Sequence, residues 1–228
     1  MTDIRAVIFD MDGCLVDSET MSLDVLSQEM ATEGVHRTTD DLRRQFLGVS
    51  IQAIVAHIAK ATERDLLPDF AQRFEDRLLS RYEQEVRNIP GIEDLLDDLR
   101  AQGIAIAIAT GSSIHRLGVT LRVSGLSRYF TGRAFSADQV RHGKPAPDLF
   151  LLAAEGLGIP PAACAVMEDS PHGITGAVAA GMRAVGFVGG SHLDGMRDDH
   201  ATRLRDAGAV TVLTGLTGMR QALLGQSG

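Results

Sequence analysis

The feature that most restricts this chain is a change of hydrophobic rhythm near Gly91. Beyond it, short aliphatic runs alternate with segments whose apolar residues recur at three and four. An amphipathic stretch (Ile92, Leu95, Leu96, Leu99) stops at Gly103, and a β-branched run follows over 104–110. Helical spacing then covers roughly 113–124, 147–157 and 172–180. Strand-like runs cover 163–167, 183–188 and 210–212, the last followed by a terminal helix. Strands alternating with helices of this length predict right-handed crossovers, and hence a parallel sheet with helices on both faces.

One strand stands apart from this series. Residues 4–9 form an aliphatic run that ends abruptly in Asp10-Met11-Asp12-Gly13, which predicts a buried strand with carboxylates at its carboxyl end. From Glu19 to about Val86 the period is helical throughout, as in Leu23, Leu26 and Met30, or Ile51, Ile54, Val55 and Ile58. Asn88-Ile89-Pro90-Gly91 then breaks the pattern. The helical block thus interrupts the sheet domain after its first strand. We expect a core domain over 1–16 and 88–228 and an inserted all-helical cap over 17–87.

Several function classes are disfavoured. The chain of 228 residues carries 22 basic and 30 acidic side chains, a net charge of −8, with no Lys/Arg cluster, so no nucleic-acid partner is expected. Its longest aliphatic run, 104–109, is far shorter than the ~20 residues of a membrane span, and the apolar residues 6–9 are too few for a signal-peptide core. No membrane association and a cytoplasmic location are expected. Cys14 and Cys164 share no metal-site or redox spacing and read as reduced, packed thiols. The glycine-rich stretch 189–195 reads as a flexible surface connection.

In an open parallel sheet, ligands bind beyond the carboxyl ends of the strands. There the first strand delivers Asp10 and Asp12, the second Thr110 and Gly111, and the strand ending near Met167 delivers Glu168 and Asp169. A loop carrying Gly143-Lys144-Pro145 lies between these last two in sequence, and Lys144 is one of only two lysines, the other being Lys60. Each motif alone serves equally well as a turn or a helix cap. Together they put four carboxylates in one crevice, where like charges drive each other's pKa upward unless a cation is bound. Hard oxygen donors without His or Cys partners point to Mg²⁺, completed by a substrate phosphate.

These elements, in this order, resemble the haloacid dehalogenase superfamily. The likeness rests on Asp10-Met11-Asp12-Gly13-Cys14-Leu15-Val16-Asp17-Ser18-Glu19, Thr110, Gly143-Lys144-Pro145-Ala146-Pro147-Asp148 and Met167-Glu168-Asp169-Ser170. It is strongest to the helical-capped phosphatase and β-phosphoglucomutase-like branch, including 6-phosphogluconate and hexose-phosphate phosphatases. The resemblance implies a Rossmann-like three-layer α/β core and a Mg²⁺-dependent phosphatase acting on a small phosphorylated sugar or sugar acid. It implies Asp10 as the nucleophile that becomes an aspartyl-phosphate, and Asp12 as the proton donor and acceptor. Thr110, the Gly111 amide and Lys144 would hold the phosphoryl oxygens. Asp10, the Asp12 carbonyl and Asp169 would hold the metal ion, with Glu168 at or just outside its coordination sphere.

The chain also departs from the branch. Cys14 stands where Thr or Val is usual. The β-phosphoglucomutase loop Lys-Gly-Val-Ser-Arg reads Leu47-Gly48-Val49-Ser50-Ile51 here, without either cation. A mutase must hold a bisphosphate, so the missing charges favour a phosphatase over a phosphomutase. A phosphate-accepting receiver module is disfavoured by the helical insertion. Substrate specificity is expected on cap residues Glu19, Arg43, Arg44, Phe46, Leu47 and Gly48, in a monomer.

Overall fold

The computed structural model describes residues 3–46, 51–62 and 69–225. Six parallel strands form one sheet: β1 (Ala6–Phe9), β2 (Ala105–Thr110), β3 (Ala134–Ser136), β4 (Cys164–Glu168), β5 (Arg183–Phe187) and β6 (Thr211–Leu213). Their order is β3-β2-β1-β4-β5-β6. β1 is central and lies in register with both neighbours, Phe9 opposite Ile108 and Met167. The order reverses at β1, which makes the carboxyl ends of β1 and β4 the natural ligand crevice.

Period-two alternation builds the core on both faces of the sheet. Val7, Phe9, Ile106, Ile108 and Met167 point to one side, against α5 (Ile92–Ala101), α6 (Ile114–Val123), α7 (Ser127–Phe130) and α11 (Met219–Leu224). Ala6, Ile8, Ala107, Ala109 and Val166 point to the other, against α8 (Asp148–Leu157), α9 (Pro171–Ala179) and α10 (Arg197–Asp206). β3 and α10 are absent from the sequence reading. β3 has three residues, too short for a period to show. α10 (RDDHATRLRD) buries only His200, Ala201 and Leu204 and so has almost no apolar stripe.

Among the described residues, four helices lie between β1 and α5: α1 (Glu19–Thr32), α2 (Thr39–Phe46), α3 (Ile51–Thr62) and α4 (Phe70–Glu85). Helices this short are marginal alone. They are held by burial of Leu23, Leu26, Met30, Leu42, Phe46, Ile54, Ile58, Phe70, Phe74, Leu78 and Tyr82, each worth about 1.5–3 kcal/mol when fully buried. A buried carboxylate, Glu29, ties α1 to α4 through Arg73 at 3.2 Å and Arg77 at 2.8 Å. The chain leaves and re-enters the sheet domain side by side. Val16 pairs antiparallel with Asn88, the Asp17 amide donates to Arg87 at 2.8 Å, and that of Ile89 to Leu15 at 2.9 Å. Among the described residues, no helix is long and apolar enough to cross a membrane.

Candidate active site

Asp10 follows β1 and is 7% exposed, and Glu168 ends β4 with no exposure. Between them sits Lys144, whose ammonium donates to Asp10 Oδ1 at 2.5 Å and to Glu168 Oε1 at 2.5 Å. Asp169 completes the group, so one lysine faces three carboxylates. Burial drives Asp10 well above the ordinary carboxylate range. Lys144 pulls it back, but Glu168 and Asp169 push it further up. Asp169 is raised too, by burial and then by Glu168. Burial disfavours the Lys144 cation, yet Asp10 and Glu168 more than offset this and hold it protonated.

Two glycines let these carboxylates in. Gly13 turns at φ +80°, and a Cβ on it would lie 2.0 Å from Asp169 Oδ2. A Cβ on Gly173, in the first turn of α9, would lie 1.8 Å from Glu168 Oε1. Glu168 Oε2 in turn accepts from the Ser170 amide at 2.8 Å, and Ser170 caps α9 by accepting from the Gly173 amide at 3.0 Å. The Glu168-Asp169-Ser170-Pro171 segment is therefore both a cap and part of the crevice.

Donor atoms of Asp10, Asp169 and Cys14 all lie within 4.8 Å of one another. The two carboxylates, raised in pKa by burial and by their like-charged neighbours, fit a hard divalent cation such as Mg²⁺, although a cysteine joins the donor group where the sequence predicts oxygen donors alone. The thiol of Cys14 is fully buried, and burial and the neighbouring carboxylates raise its pKa.

Asp12 is only 8% exposed, and both its oxygens are engaged. Ser18 Oγ donates to Oδ1 at 2.5 Å, Arg116 Nη2 to Oδ1 at 2.7 Å and Ser112 Oγ to Oδ2 at 2.7 Å. Burial raises its pKa, but the Arg116 charge and these hydrogen bonds prevail and hold it below its ordinary value. Asp10 and Asp12, two residues apart, are thus set in opposite electrostatic environments. These environments favour protonated Asp10 and ionised Asp12, so they do not by themselves assign Asp12 as the acid. Thr110 ends β2 buried, accepting from the Ser112 amide at 3.1 Å, and Gly111 is exposed at the mouth of the crevice.

On the helical side the expected specificity residues separate. Glu19 opens α1, and burial, then Asp12, push its carboxyl up to about 7. Arg43 reaches across to the Asp194 carbonyl at 3.4 Å. Arg44 is 67% exposed and pairs with Asp41 within its own helix, so it faces solvent rather than the crevice. Phe46 is buried edge-on against His57, with ring centroids 5.1 Å apart, and acts in packing. Leu47 and Gly48 lie outside the described residues.

Sequence reasoning missed Arg116, Ser18, Ser112, His192 and His200. Arg116 carried a readable signal: it sits in the first turn after the Thr110-Gly111 loop, where a side chain reaches back over the strand ends. The histidines carried less. The stretch 189–195 is not simply a surface connection, because His192 and Leu193 are fully buried. His192 Nε2 lies 3.0 Å from Asp169 Oδ2, and His200 Nε2 donates to the Asp169 carbonyl at 2.6 Å. Burial lowers the pKa of both histidines.

The model of the haloacid dehalogenase-like hydrolase family matches residues 7–187. A phosphorylated carbohydrates phosphatase of Thermotoga maritima is 31% identical over 211 residues, covering 92% of this chain and 94% of that protein. The chloroplastic protein SUPPRESSOR OF QUENCHING 1 of Arabidopsis thaliana is 34% identical over 186 residues, which cover 80% of this chain but only 18% of that longer protein. A solved hydrolase of the same family from Deinococcus radiodurans, with bound phosphate and sodium, superposes with a TM-score of 0.75 at 34% identity, covering 97% of this chain and 96% of that one.

Proposed function

The chain belongs to the haloacid dehalogenase-like hydrolases, and within that family we propose that it is a Mg²⁺-dependent phosphatase of small phosphorylated sugars or sugar acids. The observation that carries this reading is the pairing of Asp10 with Lys144 beside Asp169, with Asp12 held separately by its own cation. The activity named for the Thermotoga maritima relative supports the substrate class.

In this reading Asp10 attacks phosphorus, the ester P–O bond breaks, and Asp12 delivers a proton to the departing alkoxide. A water then attacks the aspartyl-phosphate and gives its proton to Asp12, and phosphate leaves Asp10. Splitting one hard step into two lowers each barrier, and proton transfer of this kind is worth about 10²–10⁴-fold. Lys144, the Thr110 hydroxyl and the Gly111 amide hold the phosphoryl oxygens, whose charge spreads in the transition state. Asp10, the Asp12 carbonyl and Asp169 would hold Mg²⁺, with Glu168 steadying Lys144. When bound, the ion supplies the positive charge that one lysine among three carboxylates does not.

We place the hinges of the cap domain at 16–17 and 87–88, where the chain crosses between its two parts. A panel of phosphate esters tests the function: phosphate release from sugar phosphates with Mg²⁺, abolished by chelation, is the expected result. Interconversion of hexose 1- and 6-phosphates faster than phosphate release assigns a phosphomutase instead. Inertness on the whole panel rules out both.

A further inference from the structure

Phosphoryl transfer at Asp10 accounts for neither Arg116 nor Tyr82, although both are buried at the crevice. Arg116 leaves the first turn of α6, three residues past Ser113, whose hydroxyl accepts its amide at 3.0 Å. Its side chain is 11% exposed. Nη2 donates to Asp12 Oδ1 at 2.7 Å, and Nε donates to the Tyr82 hydroxyl at 2.9 Å. Tyr82 belongs to α4, the last helix of the inserted block, and is fully buried. The guanidinium also lies 5.8 Å from the Tyr82 ring centroid.

Nε and Nη2 share one edge of a planar, rigid fork. With both donors filled, one by α4 and one by Asp12, the fork has no rotational freedom left, and Asp12 Oδ1 meets a fixed donor. The other groups at Asp12 do not do this. Ser18 and Ser112 are hydroxyls that rotate to suit whatever position the carboxylate takes, and Glu19, the nearby carboxylate, repels it.

We propose that Arg116 is a positioning residue for Asp12 and that Tyr82 sets Arg116. This rests on the role given to Asp12 above. The plainer alternative is a strut: an ion pair and hydrogen bond that fasten α4 to α6 without bearing on proton transfer.

The two differ in how the loss depends on the leaving group. A p-nitrophenolate departs without a proton, whereas an alkoxide needs one, and kcat/KM reports the steps up to transfer onto Asp10. The experiment measures kcat/KM with Mg²⁺ for p-nitrophenyl phosphate and for a series of alkyl phosphates, in wild type, Arg116→Lys, Tyr82→Phe and the double variant. Lys keeps the charge but cannot fill both partners; Phe removes one oxygen from a packed ring. The expected result is an Arg116→Lys loss on alkyl phosphates about tenfold or more beyond that on p-nitrophenyl phosphate, within the range of a proton-transfer contribution. A smaller loss of the same kind is expected in Tyr82→Phe, with none added by Tyr82→Phe once Arg116 is Lys. Equal losses on every ester, additive losses in the double variant, or a gain on alkyl phosphates overturns the proposal while leaving the phosphatase intact. A wild type inert on all esters overturns the phosphatase reading, and this role with it.

Discussion

The ammonium of Lys144 lies 2.5 Å from Asp10 Oδ1, with both side chains only about a tenth exposed. A cation held there by two carboxylates is costly to lose. Lys144→Met leaves Asp10 and Glu168 buried and unpaired, and breaking a buried ion pair from one side costs about 3–5 kcal/mol. Thermal melting in chelator is the check. Phosphate release should fall by about 10²–10³-fold, the scale seen when one transition-state donor is removed. A variant as stable and as active as wild type would place Lys144 outside the site.

Asp10→Asn should behave in the opposite way toward stability. It removes one negative charge from a cluster whose pKa is raised by burial and like charges, at nearly constant shape. The metal-free protein is expected to melt at or above the wild-type temperature while releasing no phosphate. A strongly destabilised variant would mean that the Lys144 pair dominates the cluster.

The pH dependence follows from the same shifts. A carboxyl raised in the folded state destabilises the fold once ionised, so the metal-free protein should lose stability as pH rises from the ordinary carboxylate range through the raised values of Asp10 and Asp169. For Glu19 the window runs from its ordinary 4.5 to about 7. Asp12 opposes this, since its lowered pKa adds stability above its ordinary 3.8 that disappears as pH falls. Added Mg²⁺ should therefore raise the melting temperature more at pH 8 than at pH 5, because its ligands must be deprotonated to bind. Melting curves at the two pH values, with and without the ion, read this directly.

Much of the site was legible because strand ends are legible. Asp10, Asp12, Thr110, Glu168 and Asp169 follow aliphatic runs whose period is unmistakable, and Lys144 stands out in a chain with two lysines. What escaped is what the tertiary fold alone brings in. Arg116 meets Asp12 across 104 residues, and His200 reaches Asp169 from a helix with almost no apolar stripe. Three-residue β3 was hidden for want of a period. The cap's buried stripes showed its helices, but not which face of α2 turns to the crevice: Arg43 crosses to the Asp194 carbonyl while Arg44, its neighbour, faces solvent.

That division on α2 gives a paired prediction. Arg44→Ala removes an exposed pair with Asp41 and should change stability by no more than about 0.5 kcal/mol, with kinetic constants unaltered. Phe46→Ala empties a buried ring site and should cost about 3–5 kcal/mol. Chemical denaturation with phosphate-release kinetics checks both. An Arg44→Ala defect in KM would bring that side chain into the crevice.

Gly13→Ala tests how tightly Asp169 is seated. The new Cβ would fall 2.0 Å from Asp169 Oδ2, at a backbone φ of +80° that L residues rarely adopt. The expected outcome is a large rise in the Mg²⁺ concentration needed for half-maximal activity. An unchanged metal requirement would mean that Asp169 is not a ligand.

The most direct test asks whether phosphorus is ever attached to the chain at Asp10. Wild-type protein mixed with Mg²⁺ and a sugar phosphate is quenched in acid within a turnover, digested and mapped by mass spectrometry. The account predicts a phosphoryl group on the peptide containing Asp10, gone on longer incubation and never formed in Asp10→Asn. Phosphate release at the wild-type rate from Asp10→Asn, with no phosphorylated peptide in either protein, would contradict it.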